Sequence, residues 1–230
     1  MAGLSATRET GALAAAQSPD VVATLGDAQY PTGSLADYRR DYDSTDWGRL
    51  KPKTRPVPGN HDYRTPKAAG YFAYSNPPAA YYGYDLGCGW RAYALNSEIS
   101  VGTQTSWLRG DLAAHPGVRV LAYWHRPRYS SGSHHGGDAS LQPWWDALGG
   151  RQVIVLNGHE HNYERFAEKG GIREFVAGTG GSTNYPFGSP ATGSQVRIAK
   201  TPGILRLDLG SGYTWRFVTR SGVRDSGRSS

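Results

Sequence analysis

Four short clusters hold the groups that can do chemistry: Gly26-Asp27-Ala28-Gln29-Tyr30, Gly59-Asn60-His61-Asp62, Trp124-His125 and Gly158-His159-Glu160-His161. Between them they offer a carboxylate, a phenol, an amide oxygen and several imidazoles. That is a hard-to-borderline oxygen and nitrogen set, suited to iron, zinc or manganese. Taken singly, each cluster reads as a turn or a structural histidine. Four of them in order read as a metal centre. The one cysteine, Cys88, excludes an internal disulfide and any thiolate-rich metal site, so the donors must be these oxygens and nitrogens. Cys88 itself is expected to pack.

Each cluster follows an apolar run that reads as a buried strand: residues 21–25, 55–57, 118–124 and 153–156, with a fifth run at 90–95. The glycines let the chain turn sharply out of a strand, so that the next side chain faces a crevice at the sheet edge. Helical spacing at 6–17, 35–42, 105–114 and 141–148 alternates with these strands, which predicts a layered α/β fold. After His161 the pattern turns strand-rich, at 172–177, 203–209 and 213–218, and predicts a second sheet packed on the first. The segment 221–230 is rich in Ser, Gly and Arg and is expected to fray, leaving one domain over 1–220.

A chain of 230 residues is long enough for one well-buried α/β domain. Its net charge of +6 comes from dispersed arginines and reads as a solvated basic surface, with no arm dense enough for nucleic acid. No apolar stretch reaches membrane-spanning length, and residues 1–17 lack the order of a signal peptide. Tyr81, Tyr82 and Tyr84 are expected to pack in the core and not to line a substrate cleft.

The order Gly-Asp, Gly-Asn-His-Asp, His, Gly-His-x-His resembles the calcineurin-like metallophosphoesterase superfamily. Tyr30, three residues after Asp27, and Asn162-Tyr163-Glu164-Arg165 after the last histidine are similar to its purple acid phosphatase branch. The resemblance implies a four-layer αββα sandwich of two mixed β-sheets flanked by helices. It implies two metal ions, iron paired with iron, zinc or manganese. Asp27 would bridge them, Tyr30 and His161 would hold the first, and Asn60, His125 and His159 the second. A metal-bound hydroxide would then attack a phosphate monoester. His61 would stand near the leaving oxygen as general acid or charge stabiliser, with Asp62 orienting its ring, although Asp62 also reads as a turn residue. Asn60, His61, Arg126 and His134 would touch the substrate phosphate, although Arg126, His134 and His135 also read as exposed loop residues.

The superfamily's first block, a strand ending in an aspartate ligand, is not matched, and Asp20 lies at the wrong end of its strand to replace it. A weakened first metal site and an uncovered strand edge are therefore expected. Two other functions remain open: a non-catalytic metal- or phosphate-binding domain, or a phosphodiesterase or nuclease on the same scaffold. Relatives are often secreted. The compartment and the oligomeric state are not fixed by the sequence.

Overall fold

Runs rich in β-branched and aromatic residues supply the central strands, which stack around two main cores. A computed structural model describes residues 4–183 and 185–229. The strands are β1 (Val22–Leu25), β2 (Thr54–Val57), β3 (Tyr82–Gly87), β4 (Trp90–Ala94), β5 (Arg119–Trp124), β6 (Val153–Asn157), β7 (Tyr163–Phe166), β8 (Ile172–Ala177), β9 (Ser194–Ile198), β10 (Ile204–Leu209), β11 (Tyr213–Thr219) and β12 (Gly222–Ser229). The helices are α1 (Leu4–Ala16), α2 (Leu35–Asp37), α3 (Asp46–Leu50), α4 (Ala69–Ser75), α5 (Val101–Ala114) and α6 (Gln142–Leu148).

Seven strands form one mixed sheet in the order β3-β4-β5-β6-β8-β7-β9, with β4, β5, β6 and β8 parallel to one another. Parallel strands are buried on both faces, which is why β4 and β6 have every residue buried. On one face Tyr93, Ala122 and Val155 pack against Leu108 and Leu112 of α5 and Trp144 and Leu148 of α6. On the other, Leu121, Ile154 and Phe175 pack against Val57 of β2 and against Trp215 and Phe217 of β11. Ala14 of α1 and Leu50 at the end of α3 close the far side over Val22 and Ile204. The layers are thus helix, sheet, sheet, helix.

The second sheet layer comes in two pieces, the parallel pair β1-β2 and the antiparallel trio β10-β11-β12. Among the described residues β1 pairs only with β2 and β10 only with β11, so each keeps one free edge. Both edges line a cleft of about 570 Å³, walled by Val22 and Leu25 of β1 and Leu205 and Leu207 of β10, with Leu121 and Leu156 as its floor. Asp27, Tyr30, His125, His159 and His161 line the same cleft.

Three sequence expectations are corrected. Residues 222–229 are not a fraying tail but the edge strand β12, because Asp225 accepts hydrogen bonds from Tyr163, Arg165 and Trp215 and anchors the segment. Cys88 is exposed in the turn between β3 and β4 and packs nothing. The helix read at 35–42 is one α-turn running into a wider turn at Tyr38–Tyr42, which buries both tyrosines against Tyr71 and Tyr74. Of the tyrosine cluster, Tyr82 is buried in the core and Tyr81 and Tyr84 pack against it from partly exposed positions.

Candidate metal centre

The clusters converge because β1, β2, β5 and β6 all deliver their last residues to one end of the sandwich. Two glycines make the approach possible. Gly26 has φ +85°, and a Cβ there would sit 2.6 Å from Nδ1 of His125. At Gly59 a Cβ would collide with the Asp27 carboxylate and backbone. Asp27 and His159 themselves take φ of +52° and +62°. Left-handed backbone is unfavourable for residues with a Cβ and persists where surrounding structure enforces it.

Asp27 Oδ1 accepts the His61 backbone N–H at 2.7 Å, which leaves Oδ2 facing the other donors. Oδ2 lies 3.2 Å from His125 Nε2 and 3.4 Å from the Tyr30 hydroxyl. Around His125 Nε2 stand Asn60 Oδ1 and His159 Nδ1, each at 3.0 Å. On the other side the Tyr30 hydroxyl is 3.0 Å from His161 Nε2. The ligand atoms of Asp27, His125 and His159 lie within 4.8 Å of one another, and all three residues are buried.

The ring orientations leave lone pairs aimed inward. His125 Nδ1 donates to the Leu25 carbonyl at 2.7 Å and His161 Nδ1 to the Thr183 carbonyl at 2.6 Å, so each Nε2 is free to bind a cation. Burial, with His125 beside it, lowers the His159 pKa to about 2, and burial also lowers that of His161. Both imidazoles are therefore neutral, the form a metal requires. Burial alone would raise the Asp27 carboxyl, but His125 and the His61 amide hold it well below the usual range, so it stays charged. Burial and the Asp27 charge push the Tyr30 phenol up. A cation at that position reverses the sign of the local field and favours the phenolate. The donor chemistry fits two cations sharing Asp27.

Asp62 does not orient His61. Its Oδ2 accepts the backbone N–H groups of Gly59 at 2.8 Å and Asp27 at 3.1 Å, and its Oδ1 accepts the Tyr38 hydroxyl at 2.7 Å. It fixes the two turns that carry Asp27 and Asn60. Burial raises its pKa to about 6. His61 is oriented instead by the Pro31 carbonyl, which its Nδ1 meets at 2.8 Å, and its ring lies 4.3 Å from that of Tyr30.

Arg126 is gripped by Glu98 through Nε at 2.8 Å and Nη2 at 2.9 Å, while Nη1 stands 3.3 Å from His159 Nε2. His134 is exposed and lies 4.2 Å, ring to ring, from Tyr185; His135 stacks on His159 at 3.8 Å. Sequence reasoning missed Glu98, Pro31 and Tyr185. Tyr185 stacks on His161 at 4.2 Å and 12°. It sits in a Gly-, Ser- and Pro-rich loop whose composition carries no signal of a site.

Compared with curated protein sequences, the chain has no significant match. Among solved structures it is similar to a purple acid phosphatase from yellow lupin (Lupinus luteus) seeds, with a TM-score of 0.80 and 18% identity over 99% of this chain and 49% of that one. It thus spans about half the length of the lupin protein. It is also similar to GAP50, the anchor in the inner membrane complex of Plasmodium, with a TM-score of 0.77 and 13% identity over 97% of this chain and 83% of that one. PhoD follows at a TM-score of 0.64 and 12% identity, over 100% of this chain and 66% of that one. At these identities the likeness is one of fold. Residues 3–163 match the calcineurin-like phosphoesterase family, well over half of the chain. With strand ends gathering the Gly-Asp, Gly-Asn-His-Asp, His and Gly-His-x-His clusters around one carboxylate, this chain belongs to the calcineurin-like phosphoesterase family.

Proposed function

We propose that the chain hydrolyses phosphate monoesters at a two-metal centre. The observation that carries this reading is Asp27 Oδ2, which stands 3.4 Å from Tyr30 on one side and 3.2 Å from His125 on the other. A carboxylate so placed offsets the repulsion between two neighbouring cations. Tyr30, His161 and Asp27 would hold one ion, with iron favoured by the phenol, and Asn60, His125, His159 and Asp27 the other, as iron, zinc or manganese. Bound there, the ions supply Lewis acidity and lower the pKa of water.

The chain's own groups complete the site. His61, fixed through Nδ1 on the Pro31 carbonyl, keeps Nε2 for proton transfer to a leaving oxygen. When His159 gives Nδ1 to a cation its proton sits on Nε2, and the Arg126 Nη1 group 3.3 Å away then faces another donor. An anion between them satisfies both, which makes Arg126 a phosphate contact. His134, at the rim, supplies a further donor. The test is hydrolysis of an aryl phosphate monoester against a diester at several salt concentrations, with metal content measured in parallel. Monoester turnover at two ions per chain supports the reading. Preference for the diester with a steep salt dependence favours a phosphodiesterase.

A second reading has one observation in its favour: GAP50, called an anchor, matches this fold over 83% of its own length. The Tyr30–His161 half offers three protein donors among the described residues and opens into the cleft. A chain that holds one ion or none, with no turnover, would be a binding domain.

A further inference from the structure

The segment after His125 brings His135 onto the ring of His159, and three wholly buried glutamates hold it. Oε1 of Glu174, on β8, accepts the backbone N–H groups of Arg128 at 2.9 Å and Tyr129 at 3.3 Å. Glu164, on β7, accepts the Ser131 N–H at 2.8 Å on Oε2 and the Ser131 hydroxyl on Oε1. Oε1 of Glu160 accepts the N–H groups of His135 at 2.5 Å and Gly136 at 2.7 Å. Gly132 lies so close to the Glu160 carboxylate that a Cβ there would collide with it. Ser131 also ties in a second loop, because its Oγ accepts the Ala191 N–H and its carbonyl the Gly188 N–H, both at 2.8 Å.

Burying a carboxyl group is unfavourable, and hydrogen bonds to its oxygens offset part of that cost. Here the donors are amides of an irregular segment, which has no helix or sheet ladder to satisfy them. The arrangement therefore trades desolvation for a fixed loop. That loop sets His135 on the ring of His159 at 3.8 Å and His134 beside Tyr185 at 4.2 Å, while Tyr185 stacks on His161.

We propose that Glu160, Glu164 and Glu174 are positioning residues that hold residues 128–136 in one register, so that His134 and His135 stand at the rim of the metal centre. This rests on the phosphoesterase reading for its effect on turnover. The geometry makes the three unequal. Glu160 and Glu174 use one oxygen each, and Oε2 of both lacks a hydrogen-bond partner. A glutamine at either position keeps the accepting oxygen and puts its NH₂ where no donor stands. Glu164 uses both oxygens, so Glu164→Gln turns an NH₂ onto Ser131 and deprives its hydroxyl hydrogen of an acceptor.

The experiment is amide hydrogen exchange on the full chain loaded with zinc, read for residues 126–137 with β4 as the internal control, beside metal content and KM and kcat on an aryl phosphate. Glu164→Gln and Ser131→Ala should speed exchange at 126–137 about tenfold, the scale of one or two lost hydrogen bonds, without changing β4 or metal content. KM should rise more than kcat falls. Glu174→Gln should leave exchange at 126–137 as it was. Unchanged exchange in Glu164→Gln and Ser131→Ala, or an equal increase in β4, overturns the proposal, as does equal loosening by Glu174→Gln. If Glu164→Gln does not fold, Ser131→Ala decides. Exchange needs no turnover, so an inactive chain still reports on the clamp, and an active one with normal exchange refutes the clamp alone.

Discussion

The two halves of the donor cluster are built differently. The His125–His159–Asn60 half is made of side chains that directly follow strands or tight glycine turns. His125 is essentially wholly buried, while His159 is buried to the same degree as His161 in the other half. The Tyr30–His161 half depends on loops: Tyr30 lies three residues beyond its carboxylate neighbour and His161 leans on the Thr183 carbonyl. Both halves line the cleft between β1 and β10. His161 lies as close to β7 as His159 does to β6, so the contrast rests on Tyr30, which sits in a loop beyond β1, and on donor number. Beside Asp27, one half has Asn60, His125 and His159 and the other, among the described residues, only Tyr30 and His161. The first half should hold its ion tightly and the second exchange it.

The largest effect tests the rigid half. His159→Ala should lower kcat/KM roughly 10³-fold, the several kcal/mol that a Lewis acid contributes, and should remove one ion. Turnover like that of the unaltered chain at unchanged metal content would refute the assignment. An equal loss in His161→Ala would abolish the contrast between the halves.

His61→Ala should keep both ions and lose about 100-fold in rate on esters with poor leaving groups, because protonating the departing oxygen matters most there. An equal loss on activated esters would exclude the general-acid role. Tyr30→Phe should weaken the exchangeable ion about tenfold while leaving the ion held by His125 and His159 in place. With iron bound, it should also abolish a visible tyrosinate band. Colour and stoichiometry that survive the substitution would show that Tyr30 is not a ligand.

The smallest effect lies under the loop that carries His134 and His135. Burial, with Glu164 nearby, raises the Glu174 pKa from 4.5 to about 8. The folded chain therefore keeps a proton that the unfolded chain releases, and stability falls as pH rises through that window. Glu174→Gln should flatten this decline, measured by urea denaturation at pH 5 and pH 8. An unaltered slope would show that Glu174 is ionised in the folded protein.

Much of this was legible in the sequence because strand-then-glycine punctuation marks where side chains leave a sheet. The runs before Gly26, Gly59, His125 and Gly158 all prove to be strand ends or lie within two residues of one. Strands β3, β7, β9 and β12 have no match among the runs read from the sequence; in β7 and β12 the polar residues are satisfied by distant partners that no local pattern shows. Arg165 of β7 and Asp225 of β12 meet across 60 residues of chain. For the same reason the sequence favours the ring-orienting role of Asp62 over the turn-fixing role that the structure shows. Its neighbour in sequence is His61, but its donors come from Tyr38, Gly59 and Asp27. Contacts made by folding carry no signature in spacing.

The anchoring of β12 has a practical consequence for handling the protein. Trimming the last nine residues, which composition alone would recommend, removes Asp225 and leaves Arg165, Tyr163 and the Trp215 indole without their shared acceptor. It also uncovers the edge of β11, whose Trp215 lies against Gly227. A shortened version should aggregate on storage and be cut readily by proteases, although no group of the metal centre has been touched.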